Sequence, residues 1–325
     1  MAGVVVTGAG GFLGRRLVAA LLAAKTLRYS EGLRRIDRLT LVDRHPVDWP
    51  SCGDVAIDVL AGDLSDPSFL RSVSDTNPDS IFHLAAGLTL DCERDPSNSF
   101  TGNVETARRV MEQAQGKPTF VFTSSLAVFG GDLPERVGDD VALQPSTTYG
   151  VHKVIIEQLI TDYSRHGRID GRALRLPIVL TRPRSVNATP AVSDLVAAMI
   201  REPLDGKAVC VPLAADLRFP VASAGAVVRA LIQLHDVPAG DLPVYRAMNL
   251  PALTLSGRQI VDALPDFCEG RDLGTVAFRP DEAIRKIVQG WPTVLISAHA
   301  DRLGISGDLD VKDVISDYLV NRAAK

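Results

Sequence analysis

A tyrosine and a lysine, Tyr149 and Lys153, lie four residues apart in a segment with helical apolar periodicity, so both side chains share one helix face. A phenol is a poor base at its ordinary pKa of about 10, and bringing that pKa near 7 requires about 4 kcal/mol of phenolate stabilisation. An ammonium one helical turn away supplies positive charge for this purpose. The pair therefore predicts a general base that removes a proton from an alcohol.

Two further polar residues would complete such a site. Ser125 follows a predicted strand over 119–123, and its hydroxyl would hold the substrate oxygen and stabilise a developing alkoxide. Asn103 lies near the middle of a helix predicted over 98–115, where it would bind a helix carbonyl or water and hold a proton path to Lys153. A plain polar residue on a helix face is the alternative for Asn103. The predicted catalytic residues are Ser125, Tyr149, Lys153 and Asn103.

The chain opens on a strand, a turn and a helix in the arrangement that binds a pyrophosphate. A buried strand is predicted over 3–7, an apolar helix over 17–24, and glycines with the spacing G-x-x-G-x-x-G lie between them. Glycine permits the turn, the approach of phosphate and close packing of helix on strand, and the helix end offers N–H groups to the anion. A dinucleotide site is predicted, with a tight structural turn as the alternative. Its predicted contacts here are Gly8, Gly11, Phe12, Leu13 and Gly14.

Acidic residues after two predicted strands indicate which dinucleotide is bound. Asp43 ends a strand over 39–42, where a carboxylate would accept both ribose hydroxyls and repel a 2′-phosphate. NAD is therefore favoured over NADP, although Asp43 lies farther than usual from the glycine turn and Arg44 beside it could tolerate a 2′-phosphate. Asp63 would bind the adenine amino group or cap the helix that is predicted to start near Asp66.

A fourth strand, predicted over 80–87, ends in small residues that would let the backbone run close to a ribose or nicotinamide. His83 within it is predicted to be a buried core residue rather than a catalytic one. A sixth strand is predicted over 171–180. The remaining predicted contacts with the dinucleotide are Leu64, Leu84, Ala85, Ala86, Asn103, Tyr149, Lys153, Pro177 and Val179.

Strands and helices alternate through the first 180 residues, which predicts an α/β fold with a doubly wound parallel sheet and helices on both faces. The NAD-binding domain is predicted over 1–180, with part of 215–250 returning to it. Composition then shifts to loops rich in Pro, Arg and Asn, so 181–325 is predicted to be mainly a smaller substrate-binding region. A basic, polar connector is expected over 25–38. Later helices are predicted at 191–201, 224–235, 256–264, 281–289 and 311–320, with short strands near Val209, Val244 and Val276.

Composition excludes several classes of function. The 325 residues are 46% hydrophobic, enough for a full core and about two domains. A net charge of −4 without clustered Lys and Arg gives no electrostatic footprint for nucleic acid. We expect no membrane span or leader, because no apolar stretch approaches about 18 residues. The cysteines lack metal-ligand spacing, so no metal and reduced thiols in the cytoplasm are expected; they are Cys52, Cys92, Cys210 and Cys268.

Taken in order, these motifs resemble those of the extended short-chain dehydrogenases/reductases. The matching motifs are the glycine turn, Asp43, Asp63-Leu64, His83-Leu84-Ala85-Ala86, Ser125 and the Tyr149/Lys153 pair. The resemblance is strong over residues 1 to about 180. It implies a Rossmann fold, NAD as the cofactor, a Ser-Tyr-Lys mechanism and a homodimer formed through the helices beside Tyr149.

Longer strings extend the likeness to a branch of that family that oxidises small sugar acids such as D-erythronate. These strings are 170–177, Arg182-Pro183 with Asn187-Ala188, 200–206 and 288–292. The branch implies NAD-dependent oxidation of a 2-hydroxyl to a 2-oxo acid, with Arg182 and Asn187 as candidates for holding the carboxylate, since a guanidinium fork suits it. The predicted substrate contacts are Thr89, Ser125, Tyr149, Arg182 and Asn187.

One segment, 87–93, departs from that branch. The string Gly-Leu-Thr-Leu-Asp-Cys-Glu stands where a small, Ser- and Gly-bearing pocket wall is expected, so the identity of the acid stays open. A nucleotide-sugar epimerase or dehydratase on the same fold is the main alternative, although such enzymes usually carry an Asn where this chain has Leu176-Pro177-Ile178. A catalytically silent NAD-sensing protein is a further alternative, and the presence of Ser125, Tyr149 and Lys153 together argues against it.

Overall fold

The structure, a computed structural model, describes residues 1–50, 53–180, 192–268, 270, 272–288 and 290–323. The chain divides into two compact units. The first comprises Met1–Val128, Thr147–Arg175 and Val228–Met248, and the second comprises Phe129–Ser146, Leu176–Val227 and Asn249–Lys325. The functions predicted for 1–180 and 181–325, NAD binding and substrate binding, stay predictions.

Strands and helices alternate along the chain. The strands are β1 (Ala2–Thr7), β2 (Thr26–Tyr29), β3 (Gly32–Asp43), β4 (Ala56–Ala61), β5 (Ser80–His83), β6 (Thr119–Ser125), β7 (Arg136–Val137), β8 (Asp170–Leu176), β9 (Ile178–Val179), β10 (Val209–Val211), β11 (Arg218–Ala222), β12 (Ala247–Asn249), β13 (Leu253–Ser256), β14 (Val276–Phe278) and β15 (Val294–Leu295). The helices are α1 (Phe12–Ala24), α2 (Pro67–Ser74), α3 (Thr89–Arg94), α4 (Pro96–Phe100), α5 (Thr106–Gln113), α6 (Thr148–Arg165), α7 (Val192–Leu204), α8 (Ala224–Asp236), α9 (Gly257–Ala263), α10 (Glu282–Val288), α11 (Ala298–Arg302) and α12 (Val311–Ala323).

The main sheet has the strand order β12-β8-β6-β5-β1-β3-β2, and β4 pairs with the carboxyl half of β3. β1 pairs in parallel with β3 and β5, and β5 with β6, whereas β2 is antiparallel to β3. Val4, Val5 and Val6 of β1 are fully buried, as in a parallel sheet covered on both faces. The fold is therefore α/β with a doubly wound parallel sheet of the Rossmann type, which confirms the predicted fold class.

The register of this sheet brings the predicted site residues to one edge. Thr7 at the end of β1 lies opposite Val42 of β3 and His83 of β5, and His83 lies opposite Phe122 of β6. Because parallel strands end on the same side, the residues that follow them share the ligand-binding edge.

One apolar core in the first unit fixes the helices against this sheet. Val5, Ile81 and Phe120 of the strands pack with Val110 of α5 and Ile156 of α6, and each is at least 96% buried. Each such side chain contributes about 1.5–3 kcal/mol on burial. The position of α6, which carries Tyr149 and Lys153, is thus determined by packing. In the second unit, β11 pairs in parallel with β9 and antiparallel with β13, and the pairs β10–β14 and β7–β15 are parallel.

The segment 25–38 was expected to be a connector, and it forms a hairpin of β2 with the amino half of β3. Leu27 and Ile36 are buried in this hairpin, whereas Arg28 and Arg35 are exposed. Buried and exposed side chains alternate in this way along a strand that is covered on one face only. The many basic residues of the segment hide this pattern in the sequence.

The helix predicted over 98–115 differs from a regular helix. It starts at Pro96, where the Asp95 side chain accepts the N–H of Asn98, and a π turn over Thr101–Glu105 separates α4 from α5. Such a turn inserts one residue into the helix and is frequent at functional sites. It carries Asn103.

Two later strands also differ from expectation. The strand predicted over 171–180 is divided into β8 and β9 at Pro177, because proline has no N–H to donate to the ladder. The strand predicted near Val244 lies at β12 instead, and Val244 itself is 93% exposed.

Candidate active site

The glycine turn after β1 is packed so tightly that side chains are excluded. Gly8 has φ +70°, and a Cβ there would lie 2.8 Å from the backbone nitrogen of Ala85. A Cβ on Gly14 would lie 2.1 Å from the carbonyl oxygen of Gly8. Helix α1 can therefore approach the turn only because these residues have no side chain.

The N-terminus of α1 is open to an anion. The helix begins at Phe12, earlier than the expected Leu17, because the N–H of Gly11 donates to the carbonyl of Gly8 and folds the turn directly into the helix. In the part of the chain that the structure describes, no side chain caps this end. Phe12 and Leu13 thus present N–H groups where the helix carries partial positive charge. The cradle fits the pyrophosphate of a dinucleotide.

Asp43 lies at the end of β3 beside this turn. One carboxylate oxygen accepts the N–H of Gly10 at 2.9 Å, and the other accepts the N–H of Arg44 at 2.8 Å. These bonds hold the carboxylate at the glycine turn, where the ribose next to a bound pyrophosphate would lie.

Asp63 and Leu64 follow β4. Asp63 accepts the N–H of Ser65 at 2.8 Å, and this bond lowers the pKa of the Asp63 carboxyl. The alternative role of Asp63 as a helix cap is wrong, because Asp66 caps α2 by accepting the N–H groups of Ser68 and Phe69. Leu64 is buried in the core. Contact of either residue with adenine stays a prediction.

His83 ends β5 and is a core residue, as expected. Its Nδ1 lies 2.9 Å from the hydroxyl of Thr7, and its ring stacks on Phe120 and Phe122. Burial, together with the charge of Lys153, lowers the pKa of His83 to about 3, so the ring is neutral. Leu84, Ala85 and Ala86 follow at the ligand edge, half-buried, where the Thr7 carbonyl and hydroxyl accept the N–H groups of Leu84 and Ala85.

Tyr149 and Lys153 lie in the first two turns of α6. The hydroxyl of Thr147 caps this helix by accepting the N–H of Gly150 at 3.1 Å. The Lys153 Nζ lies 5.2 Å from the centre of the half-buried Tyr149 ring. The structure therefore brings the two predicted residues together on one helix face, as their spacing requires.

Lys153 is held in the interior, with its side chain almost fully buried. Its ammonium donates to the carbonyl oxygen of Thr123 at 2.8 Å and lies 4.4 Å from the centre of the Phe122 ring. Burial lowers the pKa of Lys153 to about 7, although nearby Cys92 and Glu157 favour its charged form. The bond to Thr123 ties the lysine to the strand that ends in Ser125.

The two serines at the end of β6 have different partners. The hydroxyl of buried Ser124 donates to Glu157 at 2.5 Å. The hydroxyl of half-buried Ser125 accepts the N–H of Ala127 at 3.2 Å, and within the described residues its own hydrogen stays available for another acceptor. Ser125 is thus the better placed of the two to donate to a substrate oxygen.

Asn103 is buried in the π turn, and its amide contacts three residues. The side-chain oxygen accepts the N–H of Gly87 at 2.7 Å, and the nitrogen lies 3.2 Å from the Gly87 carbonyl, 3.4 Å from the Cys92 Sγ and 3.3 Å from the His152 Nδ1. Asn103 therefore connects the segment after β5 to α6 through His152. A proton path from it to Lys153 stays a prediction.

Sequence reasoning did not identify Ser124, Glu157 or His152. Glu157 follows Lys153 by four residues on the same helix face, and that spacing was the available signal. Its partner Arg175 lies on β8, and nothing in local sequence pairs the two.

Several predicted contacts are not tested by the structure. Thr89 begins α3 and is half-buried, and Pro177 and Val179 lie in the second unit beside and within β9. Arg182 and Asn187 lie outside the described residues. In the described ranges, no three His, Cys, Asp or Glu side chains are grouped to hold a metal ion, and no helix is long and apolar enough to cross a membrane.

Comparison of the sequence with known proteins assigns the chain to a family. The NAD dependent epimerase/dehydratase family matches residues 4–246. D-erythronate dehydrogenase of Cupriavidus necator is 37% identical over 97% of both chains. D-erythronate dehydrogenase of Haemophilus influenzae is 34% identical over 97% of this chain and 98% of its own.

The fold of a solved structure is also similar to that of this chain. The nucleoside-diphosphate-sugar epimerase from Agrobacterium tumefaciens superposes with a TM-score of 0.91 at 29% identity, covering 99% of this chain and 95% of that one. The resemblance to the extended short-chain dehydrogenases/reductases is confirmed, and the protein is an NAD-dependent dehydrogenase of that type with NAD as its cofactor. The chain belongs to the NAD dependent epimerase/dehydratase family.

Proposed function

We propose that this protein oxidises the 2-hydroxyl of a small sugar acid of the D-erythronate type to the 2-oxo acid. The observation that carries the proposal is the Lys153 ammonium 5.2 Å from the centre of the Tyr149 ring, in a chain similar over 97% of its length to D-erythronate dehydrogenases. The pair provides the base that alcohol oxidation needs, and the relatives indicate the class of alcohol.

Tyr149 acts as the base in this proposal. The O–H of the substrate alcohol gives its proton to the Tyr149 phenolate. NAD, which the glycine turn would hold, would supply the acceptor for the hydride that leaves the carbon bearing that oxygen. Lys153 stabilises the phenolate by its charge, and burial strengthens this interaction because the local dielectric is low.

Ser125 holds the substrate oxygen. Its hydroxyl can donate to that oxygen while accepting from Ala127, and a donor aimed at a developing alkoxide lowers the barrier. Lys153 is anchored two residues earlier on the same strand, at Thr123. Both groups thus depend on the end of β6.

Recognition of the carboxylate is assigned to Arg182 and Asn187. The fork of a guanidinium binds a carboxylate through two charge-assisted hydrogen bonds. The segment 87–93 includes the two residues before α3 and most of that helix, which begins at Thr89. In this proposal the segment, through Thr89, forms part of the pocket wall and selects among acids.

A nucleotide-sugar epimerase is the second candidate, favoured by the likeness to the Agrobacterium tumefaciens epimerase. The test is absorbance at 340 nm with NAD and a panel of four-carbon hydroxy acids, and separately with UDP- and GDP-sugars. We expect net NADH production with the acids. Sugar interconversion without NADH release would replace the proposal with the epimerase, and a large NAD-induced thermal shift without any turnover would replace it with an NAD sensor.

A cytoplasmic homodimer is part of the proposal. Phe100 of α4 and Val151 of α6 expose 39% and 41% of their surface, and the Phe100 ring packs edge-on against His152 of α6. This face of α4 and α6 would be covered in a dimer, and light scattering after gel filtration measures the mass.

A further inference from the structure

A fully buried ion pair lies directly behind the candidate catalytic residues. Glu157 of α6 and Arg175 of β8 have side chains 0% and 1% exposed. The Arg175 Nη2 lies 3.0 Å from Oε2 of Glu157, and its Nε lies 3.1 Å from Oε1.

Stability alone is a weak reason for such a pair. Moving two charges into the interior costs several kcal/mol per ion, and apolar residues of similar volume are often as stable or more so. The partners of Glu157 indicate another reason.

The same carboxylate accepts hydrogen bonds from two hydroxyls that lie in distant segments of the chain. Ser124 of β6 donates to Oε1 at 2.5 Å, and Tyr245 donates to Oε2 at 2.9 Å. Ser124 stands between Thr123, whose carbonyl binds the Lys153 ammonium, and Ser125. Glu157 therefore fixes the short stretch of strand on which both Lys153 and Ser125 depend.

Glu157 also supplies charge to the site. It follows Lys153 by one helical turn, and its negative charge favours the protonated lysine. Among the described residues, the other ionisable groups around Lys153 are Tyr149 and His152 on α6, Cys92 on α3 and His83 on β5. Burial lowers the pKa of both histidines, and Lys153 adds to this effect, so their rings are neutral. Burial raises the pKa of Cys92, which favours the neutral thiol over the thiolate.

We propose that Glu157 is a positioning residue for the reaction: fixed by Arg175, it fixes the end of β6 through Ser124 and balances the buried ammonium of Lys153. This inference rests on the proposed function, since it assigns Tyr149, Lys153 and Ser125 their roles there. The proposed role of Glu157 has two parts, a hydrogen bond to Ser124 and a negative charge near Lys153, and a separate variant tests each part.

Glu157→Gln tests the charge, because glutamine keeps an acceptor for Ser124 and loses the negative charge. Ser124→Ala tests the bond, because it keeps the charge and removes the contact with β6. Tyr245→Phe is the matched control, because it removes one hydroxyl from the same carboxylate without touching β6. Circular dichroism and thermal unfolding establish which variants fold.

Two readouts separate this inference from the proposed function. The first is kcat with D-erythronate across pH. The second is titration of the Tyr149 phenolate by absorbance at 295 nm in the NAD complex without substrate, taken as the difference from Tyr149→Phe. The second readout needs no turnover, so it decides the role of Glu157 even if no acid on the panel is oxidised.

We expect Glu157→Gln to raise the midpoint of the Tyr149 titration and of the acid limb of kcat by about one pH unit, because a neutral lysine stabilises the phenolate less. We expect Ser124→Ala to lower kcat about tenfold with the titration unchanged, and Tyr245→Phe to stay within about twofold of the parent. Unchanged titration in folded Glu157→Gln would overturn the charge effect. Equal kcat values in Ser124→Ala and Tyr245→Phe would overturn the positioning effect. If Glu157→Gln does not fold, the comparison of these two kcat values alone decides whether Glu157 is a positioning residue.

Discussion

The Lys153 Nζ lies 5.2 Å from the centre of the Tyr149 ring, and the Lys153 side chain is almost fully buried. A buried ammonium close to a phenol favours the phenolate much more than an exposed lysine would, because water does not screen it. The buried position of Lys153 therefore contributes to phenolate formation. The carbonyl oxygen of Thr123 stabilises the buried ammonium by accepting a hydrogen bond from it.

Replacing Tyr149 by phenylalanine removes the base and keeps the ring. We expect kcat for NADH production to fall about 10³-fold, within the range for loss of a general base. NAD affinity should stay within about threefold of the parent, because the ring and the glycine turn are kept. Stopped-flow absorbance at 340 nm and calorimetric titration with NAD measure the two quantities. Steady-state rates within a few-fold of the parent would remove Tyr149 from the role of base.

Asp43 is expected to select NAD over NADP. Asp43→Asn removes the charge that repels a 2′-phosphate and weakens the hydrogen bonds to the ribose. We expect the Kd for NAD to rise about tenfold, which corresponds to about 1.4 kcal/mol, and the Kd for NADP to fall. Asp66→Asn is the control, since Asp66 caps α2 and is not a predicted NAD contact. An unchanged ratio of the two Kd values in Asp43→Asn would show that discrimination lies elsewhere.

The packing of the glycine turn makes Gly14 intolerant of any side chain. A Cβ there would lie 2.1 Å from a backbone oxygen, which cannot rotate away as a side chain can. We expect Gly14→Ala to lower the free energy of unfolding by about 1–3 kcal/mol and to abolish the NAD-induced thermal shift. Gly102→Ala is the matched control, because a Cβ at Gly102 would meet no described atom within 4 Å apart from its chain neighbours and the backbone of its own helix. Equal behaviour of the two variants in urea unfolding and NAD binding would contradict this account.

The sequence is informative where chemistry depends on local spacing. The glycine turn, Asp43 at its strand end and the Tyr149/Lys153 pair are short-range patterns, and a strand–turn–helix unit or one helical turn converts them directly into geometry. The fold class follows in the same way, from the alternation of strands and helices.

The partners of these residues depend on contacts between distant segments. Lys153 binds the carbonyl of Thr123, which no side-chain pattern can indicate, and the carboxylate of Glu157 is paired across to Arg175 on β8. Asn103 faces Gly87 because a π turn changes the register of its helix, and such a turn has no periodic signal. These features become visible only once the packing is known.

The buried His83 predicts a dependence of stability on pH. In the folded protein burial lowers the pKa of His83 to about 3, whereas in the unfolded chain it is about 6.5. The unfolded chain therefore binds an additional proton as pH falls below 6.5, and stability is lost progressively down to about pH 3. Between pH 6.5 and 5 this loss amounts to up to about 2 kcal/mol, at about 1.36 kcal/mol per pH unit.

Urea unfolding of His83→Gln at pH 7, 6 and 5 tests this dependence. Glutamine does not titrate, so the fall in the free energy of unfolding from pH 7 to 5 should be smaller than in the parent by that amount, even if the variant is less stable at every pH. Some dependence will remain, because burial also lowers the pKa of His235. His166→Gln is the control, because it makes the same replacement at a histidine whose ring is 54% exposed. Parallel curves for His83→Gln and the parent would mean that His83 is already protonated in the folded protein at pH 5, which its burial and the charge of Lys153 oppose.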